Sequence, residues 1–233
     1  MELITILVMS VTILAFLAIL LRFNCNNIRL IKQIGEDNKL NEITNALPEN
    51  EEICKQILKM LKNENVNIKV GNDNSQASLY VVATNSIFIA NIKKTFTRVQ
   101  TIAHECIHSV QDKRLLWFNF IFSNIYLLYF TTITILAVFN KLPETSVFAI
   151  ILIMMSVLLY FVRSYLETDA MTKARYLAKE YMESKKKMIN QEDINMVVQN
   201  YDRLNEVGVK FYNFKLLFDY LIKLIVFCVV ALI

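Results

Sequence analysis

The chain has 233 residues, 55% of them hydrophobic, with 3 Gly, 2 Pro and a net charge of +4. So few turn residues exclude collagen-like and many-stranded all-β architectures, a charged fraction of 20% excludes a disordered chain, and so small a net charge gives no reason to expect a nucleic-acid partner. The four cysteines (Cys25, Cys54, Cys106 and Cys228) form no CxxC pair, which argues against a disulfide framework or a cysteine-based metal ribbon. What remains is a mainly α, multi-span membrane protein with a modest polar part.

The elements follow in chain order. Residues 3–21 carry no charge and would make a helix of about 28 Å, the thickness of a hydrocarbon core. Glu2 precedes them with no basic stretch, and no small-residue cleavage site stands before Arg22, so the run reads as an uncleaved anchor. Residues 22–114 are polar. Within them Ile53, Ile57, Leu58 and Leu61 line one face of a helix over Asn50–Asn63, and Val66–Val70 alternates like a strand. Leu79–Val82 and Ile87–Ala90 predict two short strands around Ala83–Ser86, and a helix runs from near Thr95 to about Lys113. Residues 115–139 and 146–162 are charge-free spans joined by a short loop, hence an antiparallel hairpin. Residues 163–213 are polar again, with a strong helical stretch over 164–188. Residues 214–233 predict a last span, interrupted by Lys215, Asp219 and Lys223, which requires the lysines to snorkel or Asp219 to pair with Lys223.

The basic residues set an orientation. Thirteen Lys and Arg fall in 22–114 and ten in 163–215, with only Lys141 and Lys223 elsewhere. The positive-inside rule then places both termini outside and both polar segments in the cytoplasm.

One constellation carries chemistry. The only two histidines stand as His104-Glu105-Cys106-Ile107-His108. On a helix, i and i+4 share a face, so both imidazoles can bind one Zn²⁺ while Glu105 addresses water held by it. The bland alternative is a solvated polar face. However, Ile102, Ala103, Cys106, Ile107 and Val110 already supply a buried face, so packing does not call for the histidines. A catalytic zinc needs three protein ligands and one open position. Cys106 points about 200° around the helix from His104 and cannot close the site. The best carboxylate is Glu167, in Ser164-Tyr165-Leu166-Glu167-Thr168-Asp169-Ala170, because the hairpin brings its ends to similar depth on adjacent helices. The competing reading makes Glu167 a solvated charge beside the membrane.

At Ala103-His104-Glu105-Cys106-Ile107-His108-Ser109-Val110-Gln111 and Glu167-Thr168-Asp169-Ala170, with the strand-like Asn85–Ala90 upstream, the sequence resembles the gluzincin-type metallopeptidases. In particular it resembles the neutral zinc metallopeptidases of bacterial membranes. The resemblance implies a small α+β zincin-like cytoplasmic domain at the bacterial plasma membrane. It also implies one zinc per chain on His104, His108 and Glu167, with Glu105 as general base. The strand before the active-site helix would align a polypeptide substrate, free or membrane-associated. Asp169 is a candidate partner for a ligating histidine, and Arg175, Tyr176 and Tyr181 are candidate oxyanion donors. Met171 stands where the general gluzincin pattern has an acid, and Ile107 where a small glycine is usual.

Three functions compete: a zinc endopeptidase, a non-catalytic metal-binding membrane sensor or scaffold, and a transporter component. The three better spans hold no ionisable residue and so no ion path. Glu105 favours the peptidase over the sensor, since it is not a ligand and serves only the chemistry. The charge partition makes a topological prediction. A reporter inserted after residue 144 is expected outside the cell and one at residue 75 or 190 inside. Finding residue 75 outside would invert the arrangement.

Overall fold

Apolar runs without Gly or Pro wind into long helices, and the few turn residues confine the strands to one short stretch. The computed structural model describes residues 2–20, 29, 33–35, 37–71, 78–90 and 95–233. In chain order come α1 (Glu2–Leu20), α2 (Asn38–Asn45), α3 (Asn50–Met60), β1 (Asn67–Val70) and β2 (Leu79–Val81). A 3-10 turn (Val82–Thr84) leads to β3 (Ser86–Ile89), followed by α4 (Arg98–Val110), α5 (Lys113–Val138), α6 (Thr145–Glu183) and α7 (Gln191–Val230). The chain divides into two units. One comprises Met1–Asn24, Phe118–Tyr165 and Lys210–Ile233, and the other Cys25–Trp117 and Leu166–Val209.

The first unit is apolar inside and out. Its core gathers Leu3, Tyr126, Ile133, Leu152, Leu159 and Phe227. Tyr126 meets Tyr220 edge to face at 5.4 Å and accepts a hydrogen bond from Ser156 Oγ at 3.1 Å. α5 and α6 are each long and apolar enough to cross a membrane, and only 17% of the most apolar window of each is buried. That exposure separates them from the core helices of a globular domain. α1 winds through 19 residues, Glu2–Leu20, with no charge after Glu2. Residues 214–233 fall at the end of α7, where three charges interrupt the run. Lys223 Nζ lies 3.5 Å from the backbone carbonyl of Asp219, and 5.8 Å from the ring centres of Tyr126 and Tyr220. The expected side-chain pairing of Asp219 with Lys223 is thus replaced by contacts to backbone and aromatic faces.

The second unit packs helices on a three-stranded sheet of order β1-β3-β2. β1 runs parallel to β3, with Asn67 opposite Ser86, and β2 antiparallel, with Tyr80 opposite Ile87. Asn85 takes a left-handed conformation (φ 45°) at the turn into β3, which asparagine tolerates. Ile87 and Ile89 turn inward and are buried. β3 is hydrogen-bonded on both sides, so the strand expected to align a substrate has no free edge; β2 and β1 hold the outer edges.

α3 and α4 pack together through Ile53, Cys54 and Ile57 on one side and Val99, Ile102 and Cys106 on the other, all buried. The Cys54 and Cys106 sulfurs lie 3.7 Å apart as free thiols. Buried Arg98 donates to Asn50 Oδ1 (2.9 Å) and to the carbonyls of Thr44 (2.7 Å) and Leu47 (2.9 Å), fastening the start of α4 to the α2–α3 connection. Tyr201 stacks on Phe96 at 5.7 Å and donates to its carbonyl at 2.7 Å. The helix expected to reach Lys113 stops at Val110. Gln111 is extended, and Asp112 Oδ1 accepts from the Arg114 N–H at 2.8 Å, capping the start of α5. Because Ile57 is fully buried under α4, Ile57→Ala should cost about 2–5 kcal/mol in denaturation of the full chain. A loss within experimental error would mean that this seam does not hold the unit.

Candidate metal centre

Four residues apart on α4, His104 and His108 project from one face with their rings edge to face, centres 4.6 Å apart. Glu167 comes from α6. His104 Nε2 and His108 Nε2 are 3.0 Å apart, and Glu167 Oε2 lies 3.3 Å from the first and 3.8 Å from the second. Three Lewis-basic atoms so close together suit a cation. A tetrahedral ion with bonds of ~2.0–2.1 Å to imidazole and carboxylate separates its ligand atoms by about 3.3 Å, and the three separations bracket that value. Among the described residues, this is a group that could hold a metal ion.

Charge and burial oppose one another here. Burial raises the Glu167 carboxyl, but the adjacent His104 and His108 rings outweigh it and hold the group far below the usual carboxylate range. Burial likewise lowers the His108 imidazole, yet the neighbouring Glu167 carboxylate leaves it raised. Glu105 is 6% exposed, and burial pushes its carboxyl up against the opposing pull of both histidines and of the Tyr80 N–H. That N–H donates to Glu105 Oε2 at 2.6 Å from the side of β2 away from β3. The Tyr80 hydroxyl in turn receives Lys113 Nζ at 2.6 Å and donates to Asn85 Oδ1 at 2.9 Å.

Carboxamides bridge α4 and α6 beside the candidate ligands. Gln111 Oε1 lies 2.8 Å from His108 Nδ1, while its Nε2 donates to the Leu166 carbonyl (2.8 Å) and to Asp169 Oδ2 (2.9 Å). Asp169 also pairs with Lys173 at 2.7 Å. Asp169, the candidate partner for a ligating histidine, meets Gln111, which in turn meets His108. One turn earlier on α4, Gln100 donates to Asn205 Oδ1 at 2.5 Å, and Asn205 donates to the Met171 carbonyl at 3.1 Å. Of the three candidate oxyanion donors, Tyr181 has a buried hydroxyl without a hydrogen-bond partner among the described residues. Arg175 pairs with Asp202 and lies 4.3 Å over the Tyr176 ring, and Tyr181 is fully buried. Tyr80, Gln100 and Asn205 carried no signal in the sequence. Gln111 did, one turn after the second histidine.

No protein family, curated protein or solved structure matches the chain. The geometry therefore bears the argument alone. Glu167→Ala leaves two histidines and should weaken binding of Co²⁺, titrated by absorbance, by orders of magnitude. Asp169→Ala acts through Gln111 and should cost only ~10–100-fold. The reverse order of effects would assign the third ligand to Asp169.

Proposed function

We propose that the chain is an integral-membrane zinc peptidase, its metal centre on the cytoplasmic side and its termini outside. The observation that carries this reading is the convergence of His104, His108 and Glu167 within 3.0–3.8 Å, with Glu105 next in sequence to the first ligand. Three protein ligands leave a fourth position open, as hydrolytic zinc sites require. The membrane reading rests on α5 and α6 and on the distribution of Lys and Arg.

Zinc on these ligands supplies Lewis acidity, polarising a peptide carbonyl and acidifying water. The chain's own residues handle the proton. The Tyr80 N–H occupies Glu105 Oε2, leaving Oε1 to accept a proton from the attacking water and return it to the leaving amine. Burial raises the Glu105 carboxyl, which brings its basicity closer to that task.

The second reading, a non-catalytic metal-binding sensor or scaffold, has one observation in its favour. Glu105 is buried and already bonded to backbone, as a purely structural carboxylate would be. One substitution separates the two. Glu105→Gln should keep one zinc per purified chain and lower peptide hydrolysis at least ~100-fold. A variant that hydrolyses peptides at the wild-type rate, or a wild-type protein that binds zinc and cleaves nothing, would end the peptidase reading.

A further inference from the structure

We infer that Gln111 is a positioning residue for the metal centre, its carboxamide fixing His108 as the Nδ1–H tautomer and turning the bare Nε2 towards Glu167 and His104. The inference rests on the metal-binding reading of the site. It adds a residue, and a relay, that the ligand set does not contain.

The argument is one of donors and acceptors. Gln111 Nε2 faces the Leu166 carbonyl at 2.8 Å and Asp169 Oδ2 at 2.9 Å, and a carbonyl and an ionised carboxylate can only accept. Turning the amide over would set its oxygen against both, so the orientation is decided by its partners. Oε1 must then face His108 Nδ1, 2.8 Å away, and that contact is a hydrogen bond only if Nδ1 carries the proton. A neutral imidazole has one proton. Its Nε2 is left as a lone pair on the side where His104 Nε2 and Glu167 Oε2 lie at 3.0 and 3.8 Å.

Asp169 gains a role from the same geometry. It holds the Gln111 amino group and is itself steadied by Lys173 at 2.7 Å, so it acts on His108 through one carboxamide. Leu166 and Asp169 flank Glu167 on α6, so the amide that orients one ligand also registers the helix bearing another. Asn205 bridges α4 and α6 as well, but between Gln100 and the Met171 carbonyl, and it touches no ligand. Of the two bridges, only Gln111 bonds to a metal-binding ring.

The chain has two histidines, so ¹⁵N-histidine labelling of the full, metal-free protein gives two imidazoles, which His104→Ala assigns. At a pH where the rings are neutral, His108 should show the Nδ1–H tautomer. Gln111→Ala should shift it towards Nε2–H and weaken zinc binding ~10–100-fold, with unchanged far-ultraviolet circular dichroism. Gln111→Glu combined with Asp169→Asn keeps an accepting oxygen on Nδ1–H and a donor beside it, and should retain the tautomer although the Leu166 carbonyl loses its donor. An Nε2–H His108 in the wild type overturns the inference without any variant. So does a Gln111→Ala protein with unaltered tautomer and affinity. A wild type with the Nδ1–H ring, sensitive to Gln111, that fails to cleave peptides would sink the peptidase reading and leave this one standing.

Discussion

The candidate metal centre depends on holding α4 beside α6 with three electron-rich atoms 3.0–3.8 Å apart. Left to themselves, two imidazole lone pairs and a carboxylate repel, and their partial burial removes the water that would screen them. Something positive must sit between them, a proton or an ion, and the helices must be fixed before it arrives. Gln111 and Asn205 make that fixing polar and directional, while Ile57 and Ile102 on the other side of α4 make it apolar. α7 comes close to α6 at Gly208. A Cβ there would lie 3.0 Å from Met171 Cε.

How much of this could be read from the amino acids depends on the distance over which each signal acts. His104, Glu105 and His108 are legible because helix geometry makes their spacing meaningful without any tertiary knowledge. Glu167 is legible by elimination, once no third histidine exists and the loop between two apolar runs is short. The strands near residues 67–70, 79–81 and 86–89 follow from alternation, but their order in the sheet does not, and that order decides that β2 rather than β3 has an open edge. The end of α4 was also written in the sequence, since Asp112 is a capping residue, although helical periodicity masks it. The carboxamides were not legible as bridges. Amides are common on polar surfaces, and only the fold shows which of them meet a ligand.

α6 illustrates a limit of hydropathy. The chain changes character near Arg163, from apolar to charged, and a reading by composition separates a span from a polar helix there. The backbone registers no such boundary. Neither Gly nor Pro occurs between Thr145 and Glu183, and the helix runs through all 39 residues. Hydropathy reports the solvent around a helix, whereas propensity and hydrogen bonding decide where it ends.

The separation of the ligands along the chain has a consequence for biosynthesis. His108 and Glu167 are 59 residues apart, with two apolar runs between them. At about 5–20 residues per second, the carboxylate follows the histidines by about 3–12 s. During that interval a nascent chain carries only two of the three candidate ligands, a poor trap for an ion. Glu167 emerges only after α5 and the first half of α6 have been made, so the order of translation delays completion of the ligand set until the apolar hairpin exists.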